Sequence, residues 1–309
     1  MPRILSYRAS EADEGRRVRD IIRQEFRLVA HDSARAKYRT EKGITVNGET
    51  VMVSRPLAPG DLVEVRLDFE MPEHTVPSEG PLTVLYEDED VLCVDKPAGM
   101  VVHPSHGHFA DSLGNRIAAY FLRNGEPHEI RTVGRLDKDT SGVLVVAKSR
   151  TATAILTGQV GNEPCKKEYL ALAAGTFSGK EGTVEAPISA EYIDKNRREV
   201  TEDGRYALTR YQVLEQYGGF ALVKAEIETG RTHQIRVHMA HIGHPLLGDP
   251  IYGSAGNEAD NAAPLTRAAL HARRVSFRQP FTREPVTVTA EIPEDMRRVM
   301  EYGADGQVL

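Results

Sequence analysis

Cysteine is scarce in this 309-residue chain: Cys93 and Cys165 could close one bridge at most. Small secreted scaffolds depend on many more, so the composition points to a reducing, cytoplasmic setting. Long apolar runs are missing as well. Stretches such as Val143–Ala147 fall far short of the ~18 residues of a membrane span, which excludes a helical membrane protein. The opening MPRILSYRAS places charge where a signal peptide carries its apolar segment, so no export signal is expected. No GxxxxGK(S/T) or GxGxxG follows a strand signal, which leaves a nucleotide cofactor unsupported. GxSxG and HExxH are absent too, and with them the sequence marks of a serine-nucleophile elbow and of a zinc protease helix.

What is present is a globular composition, 40% hydrophobic and 27% charged. At roughly 150 residues per domain there is room for about two domains. The net charge of −6 is unevenly spread: residues 1–60 hold 12 Lys/Arg against 8 Asp/Glu, an excess of +4, so the remainder carries −10. A small basic module on an acidic body fits an electrostatic docking element, because phosphate binding follows local Lys/Arg clusters more than total charge. A solvated helix face explains the same charges equally well.

Residues 14–28 set Val18, Ile21, Ile22 and Phe26 at helical spacing among arginines, which reads as a basic amphipathic helix. Two short strand runs then flank Asn47-Gly48, a pair that tolerates the positive φ angles of a tight hairpin. A strand over 62–67 follows, and residues 68–80, acidic and Pro-bearing, read as a linker. From Leu82 onward strand signals recur, interrupted by helical stretches near 111–123, 151–160, 232–242 and 294–302. Tyr211, Val213 and Leu214 alternate with Gln212 and Glu215, the pattern of half-buried strands in an antiparallel or mixed sheet. The expected class is therefore α+β and not doubly wound α/β. Residues 255–264 read as a solvent loop.

Four stretches could carry chemistry. In residues 133–149, Arg135, Asp137, Lys138, Asp139, Thr140, Ser141 and Gly142 crowd ahead of an apolar strand able to hold a loop rigid. Metal ligands, an acid/base pair or a plain turn all fit, and composition favours the turn. In 228–253, Arg231 and Thr232 open a helix bearing His233, Arg236, His238 and His241, with His244 just beyond. The i,i+3 spacing of His238 and His241, without an evident carboxylate, disfavours a metal and leaves hydrogen-bonding histidines. Residues 95–108 place Lys96-Pro97 and Gly99 in a turn, then His103, His106 and His108. The fourth, CKKEYLALAAG, sets Tyr169 in a strand, where a tyrosine is by default a packing residue with one polar handle.

Together, DKPAGMVVHPS, GRLDKDTSGVLVVAKS, KKEYLALAAG, TGRTHQIRVHMAHIGHPLLGDPIYG and LHARRVSFRQPFT resemble the pseudouridine synthases of the large-ribosomal-subunit (RluA) type, a group that also contains tRNA-modifying members. The phrases occur in the family's order from Leu82 to about Pro293. The resemblance implies a catalytic domain over 82–309 with a central mixed, mostly antiparallel sheet flanked by helices, joined by a linker at 71–81 to a small module over 1–70. It also implies isomerisation of uridines in RNA to pseudouridine without metal or organic cofactor. RNA is the expected partner, ribosomal RNA first and transfer RNA as the alternative, with a monomer as the default state. A non-catalytic RNA-binding or ribosome-assembly factor is the competing reading, which Asp137, Tyr169 and Arg231 together disfavour.

The resemblance places the family's nucleophilic aspartate on Asp137 and its strand tyrosine, which stacks on uracil, on Tyr169. Arg231 is expected to pair with Asp137, Arg135 to enter the RNA where the uridine leaves, and Ile235 to line the other face of the base. A stacked base must be flipped out to reach such a carboxylate. Two features depart from the family pattern. The family often has His directly before RLD where this chain has Gly134, which implies altered loop packing or RNA contact. Residues 14–67 resemble an S4 RNA-binding domain, although its second helix shows a thin apolar face of Ala34, Ala36 and Tyr38.

Overall fold

The structure, a computed structural model, describes residues 2–69, 75–160, 164–193, 197–253 and 265–304. Two antiparallel and mixed sheets organise it. The first contains β1 (Arg3–Arg8), β2 (Ile44–Val46), β3 (Glu49–Thr50) and β4 (Leu62–Leu67) in the order β1-β4-β2-β3, every pair antiparallel. Asn47 and Gly48 turn between β2 and β3 with φ of 53° and 81°, as their side chains permit. Two helices cover this sheet, α1 (Val18–Gln24) and α2 (Ala30–Tyr38). Val18, Ile21 and Ile22 of α1 pack with Phe26, Val63 and Val65 in one apolar cluster.

The second sheet is built from β5 (Thr83–Glu87), β6 (Val91–Lys96), β7 (Arg131–Thr132), β8 (Ser141–Ala147), β9 (Lys166–Ala174), β10 (Glu181–Glu185), β11 (Leu208–Gln216), β12 (Phe220–Ile227), β13 (Leu270–Arg278) and β14 (Pro285–Thr289). Its order is β10-β11-β12-β9-β13-β8-β6-β5, with β14 also on β13 and β7 on β8. All its pairings are antiparallel except β8 with β13, which run parallel at Ser141↔His271 and Ala272↔Gly142. The class is α+β, as expected. Gly142 has φ of 107°, and a Cβ there would overlap the Ala272 backbone, so only glycine lets the two strands meet.

All seven residues of β8 are buried because the sheet is covered on both faces. On one face, α3 (Leu113–Arg123) presents Leu113, Ile117 and Phe121 at four-residue spacing to Leu92, Val94, Leu144 and Val146. Its first turn is capped by Ser112, whose hydroxyl accepts from Asn115 N. On the other face, Ala152 and Leu156 of α4 (Arg150–Leu156) meet Val91, Cys93, Val143 and Val145. Helix α5 (Gln234–His241) sits over the β9 side, and α6 (Glu294–Ala304) packs Met296 and Val299 on Leu172 and Phe220. Among the described residues no helix is long and apolar enough to cross a membrane. Cys93 and Cys165 are both free thiols.

Two expectations are corrected, at Leu214 and at the end of one helix. Leu214 is exposed and does not belong to the buried alternation: a bulge between Val213 and Glu215 leaves it without a partner on β12. The helix expected over 151–160 ends at Leu156. Of the linker, residues 71–74 lie outside the described residues, whereas the segment from 75 to 82 is tied to α3 by Ser78 N→Asn115 O at 3.0 Å and Asn115 Nδ2→Val76 O at 2.6 Å. The loop at 255–264 lies outside the described residues.

The thin apolar face of α2 has a physical reason. Of the expected face only Ala36 is buried, Ala34 and Tyr38 being exposed, and the other inward residue is Asp32, whose Oδ2 accepts from Thr151 N at 2.8 Å and from Thr151 Oγ1 at 2.7 Å at the start of α4. Nearby, Arg3 Nε donates to Asp90 Oδ1 at 3.1 Å while Gln279 Nε2 donates to Asp90 Oδ2 at 2.7 Å. The two sheets are thus joined by buried polar bonds as well as by chain connectivity.

Candidate active site

Two adjoining cavities open beside the β7–β8 loop. The inner one, about 110 Å³, lies between Asp137, Tyr169, Arg231 and Ile235. The outer one, about 630 Å³, runs past His103, Tyr192 and Arg236. Arg135, Asp137 and His233 line both, so the carboxylate stands where the cavities meet.

The loop carrying Asp137 is fastened from beneath. Lys96 at the end of β6 is fully buried and donates from Nζ to Pro97 O at 2.9 Å, Met100 O at 2.8 Å and Lys138 O at 2.8 Å. All three ammonium hydrogens are therefore committed to backbone carbonyls of the two loops that frame the site. Burial pushes Lys96 down to about 7, opposed by the charges of Asp139 and Asp137. Arg267 adds a bond to Asp139 O at 3.1 Å while its guanidinium is held by Asp295 at 2.7 and 2.9 Å.

The Asp137 side chain is 18% exposed, and the cation facing it is Arg236, with Nη1 3.9 Å from Oδ2. This corrects the expected pairing. Arg231 lines the inner cavity, but its Nε donates to Tyr206 O at 2.9 Å. Arg236 is fixed by a two-pronged bond to Asp249, Nε→Oδ2 and Nη2→Oδ1, each 2.7 Å. Burial alone would lower the Arg236 guanidinium, but Asp249 and Asp137 outweigh it and hold the group above its ordinary range. The arrangement is a preorganised positive charge beside a carboxylate, in a site largely shielded from water.

Tyr169 projects from β9 into the inner cavity and is 4% exposed. Burial, then the negative charge of Asp137, pushes its hydroxyl above the usual phenol range, so the resting ring is a neutral phenol. Ile235, 4% exposed on α5, lines the same cavity, and Arg135 is exposed at the junction of the two. The five residues singled out in the sequence are thus brought together around one opening. Gly134 adopts φ of 81°, and the place a Cβ would take is filled by Lys167 Nζ, which donates to Val133 O at 2.6 Å.

Three of the four histidines of the 228–253 stretch make hydrogen bonds, and His241 is exposed. His238 meets Thr209 Oγ1 and Ala186 O, each at 2.9 Å, and His244 meets Ala174 O at 2.9 Å. His233 begins α5 at φ of 58° and bonds Tyr252 Oη at 3.0 Å. Sequence reasoning missed the roles of Arg236, Asp249, Lys96 and Lys167. One signal was available: an arginine inside QIRVHM, flanked by apolar residues, needs a buried carboxylate, and GDPIYG supplies Asp249.

The profile of one family, RNA pseudouridylate synthase, matches residues 90–241. The chain is 39% identical over 264 residues to the ribosomal large subunit pseudouridine synthase D of Xanthomonas campestris, covering 82% of this chain and 79% of that protein. It is 40% identical over 261 residues to an uncharacterised RNA pseudouridine synthase of Bacillus subtilis, covering 84% of each. Among solved structures, human RNA pseudouridylate synthase domain containing 1 superposes with a TM-score of 0.54 at 26% identity, over 68% of this chain and 83% of that one.

Proposed function

Because the chain belongs to the RNA pseudouridine synthase family of the large-ribosomal-subunit type, an isomerase family that converts uridine to pseudouridine in RNA, we propose that Asp137 is its nucleophile, Arg236 the cation that steadies it and Tyr169 the ring that stacks on uracil. The observation that carries this reading is that Asp137 and Tyr169 line one cavity of about 110 Å³ while Arg236, on the adjoining cavity, stands 3.9 Å from the same carboxylate. The target uridine leaves its helix at a cost of a few kcal/mol. Arg135, exposed at the entrance, takes the space it vacates. The base then enters the inner cavity between Tyr169 and Ile235 while its ribose remains in the outer one.

The reaction breaks C1′–N1, turns the uracil and forms C1′–C5. N1 gains a proton and C5 loses one, so the atoms balance without a co-reactant. A carboxylate can hold the separated fragment covalently while it turns. Arg236 sets a fixed positive charge against the Asp137 carboxylate and orients it for attack, and Asp249 keeps Arg236 from following the charge. Tyr169, held as a neutral phenol, serves first as a stacking surface. Arg231 lines the cavity as an RNA or base contact.

The substrate is proposed to be large-subunit ribosomal RNA, supported by relatives named for that activity. The module over 1–70 is proposed to be an S4-like RNA-binding unit adding phosphate affinity, and the enzyme to work as a cytoplasmic monomer. The test is Asp137→Asn assayed with pseudouridine mapping across total RNA. RNA affinity should stay within about twofold, because one carboxylate in a pocket contributes little to phosphate-dominated binding, and product should vanish. Product formed by the variant overturns the assignment of the nucleophile, and absence of product from the wild type favours the non-catalytic factor.

A further inference from the structure

The outer cavity is far larger than the inner one, and the uridine chemistry uses only their meeting point. On its wall stands Tyr192, a 48% exposed aromatic that neither the core nor the chemistry employs. Its ring is covered on one side by Arg198, whose guanidinium carbon lies 3.9 Å from the ring centroid. Arg198 itself is anchored: Nη1 donates to Ser189 O at 3.1 Å, and its backbone N donates to Tyr252 Oη at 2.8 Å. Tyr252 Oη also bonds His233, which lines both cavities. The Arg198 Nε is buried without a hydrogen-bond partner among the described residues. Its two anchors thus place that guanidinium over the ring. A cation on one face of the ring leaves the other for a single flat group.

We infer that Tyr192, backed by Arg198, is a stacking platform for the base of a nucleotide adjoining the target uridine. The proposal rests on the reading that RNA occupies these cavities. Single-stranded RNA is characteristically held by bases laid on aromatic rings and guanidinium planes. Of the other cations on the outer cavity, the exposed Lys138 suits the connected backbone, whereas Arg236 is committed to Asp249 and Asp137. When the uridine swings into the inner cavity its neighbour loses a stacking partner, and Tyr192 replaces it. Tyr192 is thus a positioning residue: it favours the flipped state without touching the reacting atoms.

The test uses full-length protein and two probes: oligouridylate of ten residues, and the same length with abasic residues alternating with uridines so that no uridine has a neighbouring base. The wild type should bind oligouridylate roughly tenfold tighter than the alternating probe, the effect of one base on an aromatic ring. Tyr192→Ala should bind both alike, Tyr192→Phe should keep the difference, and Tyr192→Leu guards against misfolding. The salt dependence should be the same for all variants, because stacking releases no counterions. With ribosomal RNA, Tyr192→Ala should raise KM and leave kcat within about threefold. A full difference retained by Tyr192→Ala, or none in the wild type, overturns the platform. Asp137→Asn should show the wild-type difference, so a failure of the nucleophile assignment is read separately from a failure of the platform.

Discussion

Nη1 of Arg236 stands 3.9 Å from Oδ2 of Asp137, and the same guanidinium is locked to Asp249 by two bonds of 2.7 Å. The carboxylate thus faces a cation that cannot swing away. Arg236→Met should lower kcat by at least ~10²-fold, the scale seen when one preorganised electrostatic partner is removed. It should also cost roughly 3–5 kcal/mol of stability by stranding Asp249. Arg236→Lys keeps the charge and loses the fork, and should fall between. Arg231→Met should reduce kcat by less than about tenfold, because one bond to a carbonyl is worth on the order of 1 kcal/mol. Single-turnover rates beside urea denaturation decide this, and a larger kinetic loss in Arg231→Met than in Arg236→Met would reverse the assignment.

Gly142→Ala tests the parallel contact that aims the loop. The new methyl would overlap the Ala272 backbone at φ of 107°. Overpacking and backbone strain together should cost at least ~3 kcal/mol. For a chain of this size that lowers Tm by roughly 6–12 °C. A Tm within a degree or two of wild type would show that β8 and β13 can separate without harm.

Acid stability should reflect two buried histidines. Burial pushes His271 down to about 4, and burial with the charge of Lys148 does the same to His128. Both are neutral in the folded protein at pH values where the unfolded chain, titrating near 6.5, takes up protons. Stability therefore falls as pH drops from about 6.5 to 4 and levels off below, by up to roughly 3 kcal/mol per histidine. His128 lies edge-on between Phe69 and Phe121, at 4.9 and 5.0 Å. His128→Phe should preserve the packing and reduce the loss measured between pH 7 and 4.5 by about that amount. An identical pH dependence in the variant would place the acid response elsewhere.

The basic N-terminal module should register in the salt dependence of binding. Arg19 and Arg23 on α1 are exposed. If they meet phosphates, Arg19→Gln with Arg23→Gln should reduce the slope of log K against log salt by roughly 1.5, two contacts at about 0.7–0.9 each. A slope equal to wild type would mean that this face of α1 does not touch RNA.

Much of this was legible in the chain. Strand-forming runs, some alternating and some solidly apolar like Val143–Ala147, located β5, β6, β8, β9, β11, β12, β13 and β14, and Asn47-Gly48 marked its hairpin, because these signals depend on neighbours a few residues away. Other elements escaped: β7 has two residues, β10 carries a single apolar residue, Val184, and β1 was hidden in a charged opening stretch. Leu214 broke the alternation because a bulge shifts register, which no periodic rule anticipates.

The order and wording of its phrases determined the family, the α+β class and Asp137 as the residue to watch, since local backbone preference and side-chain chemistry are properties of the chain itself. The choice of Arg236 over Arg231, the Lys96 ammonium tying two loops, and Asp32 docking onto α4 were decided only by folding. Each is a contact between segments remote in sequence, selected by where the fold places each side chain and by the need of a buried charge for a partner.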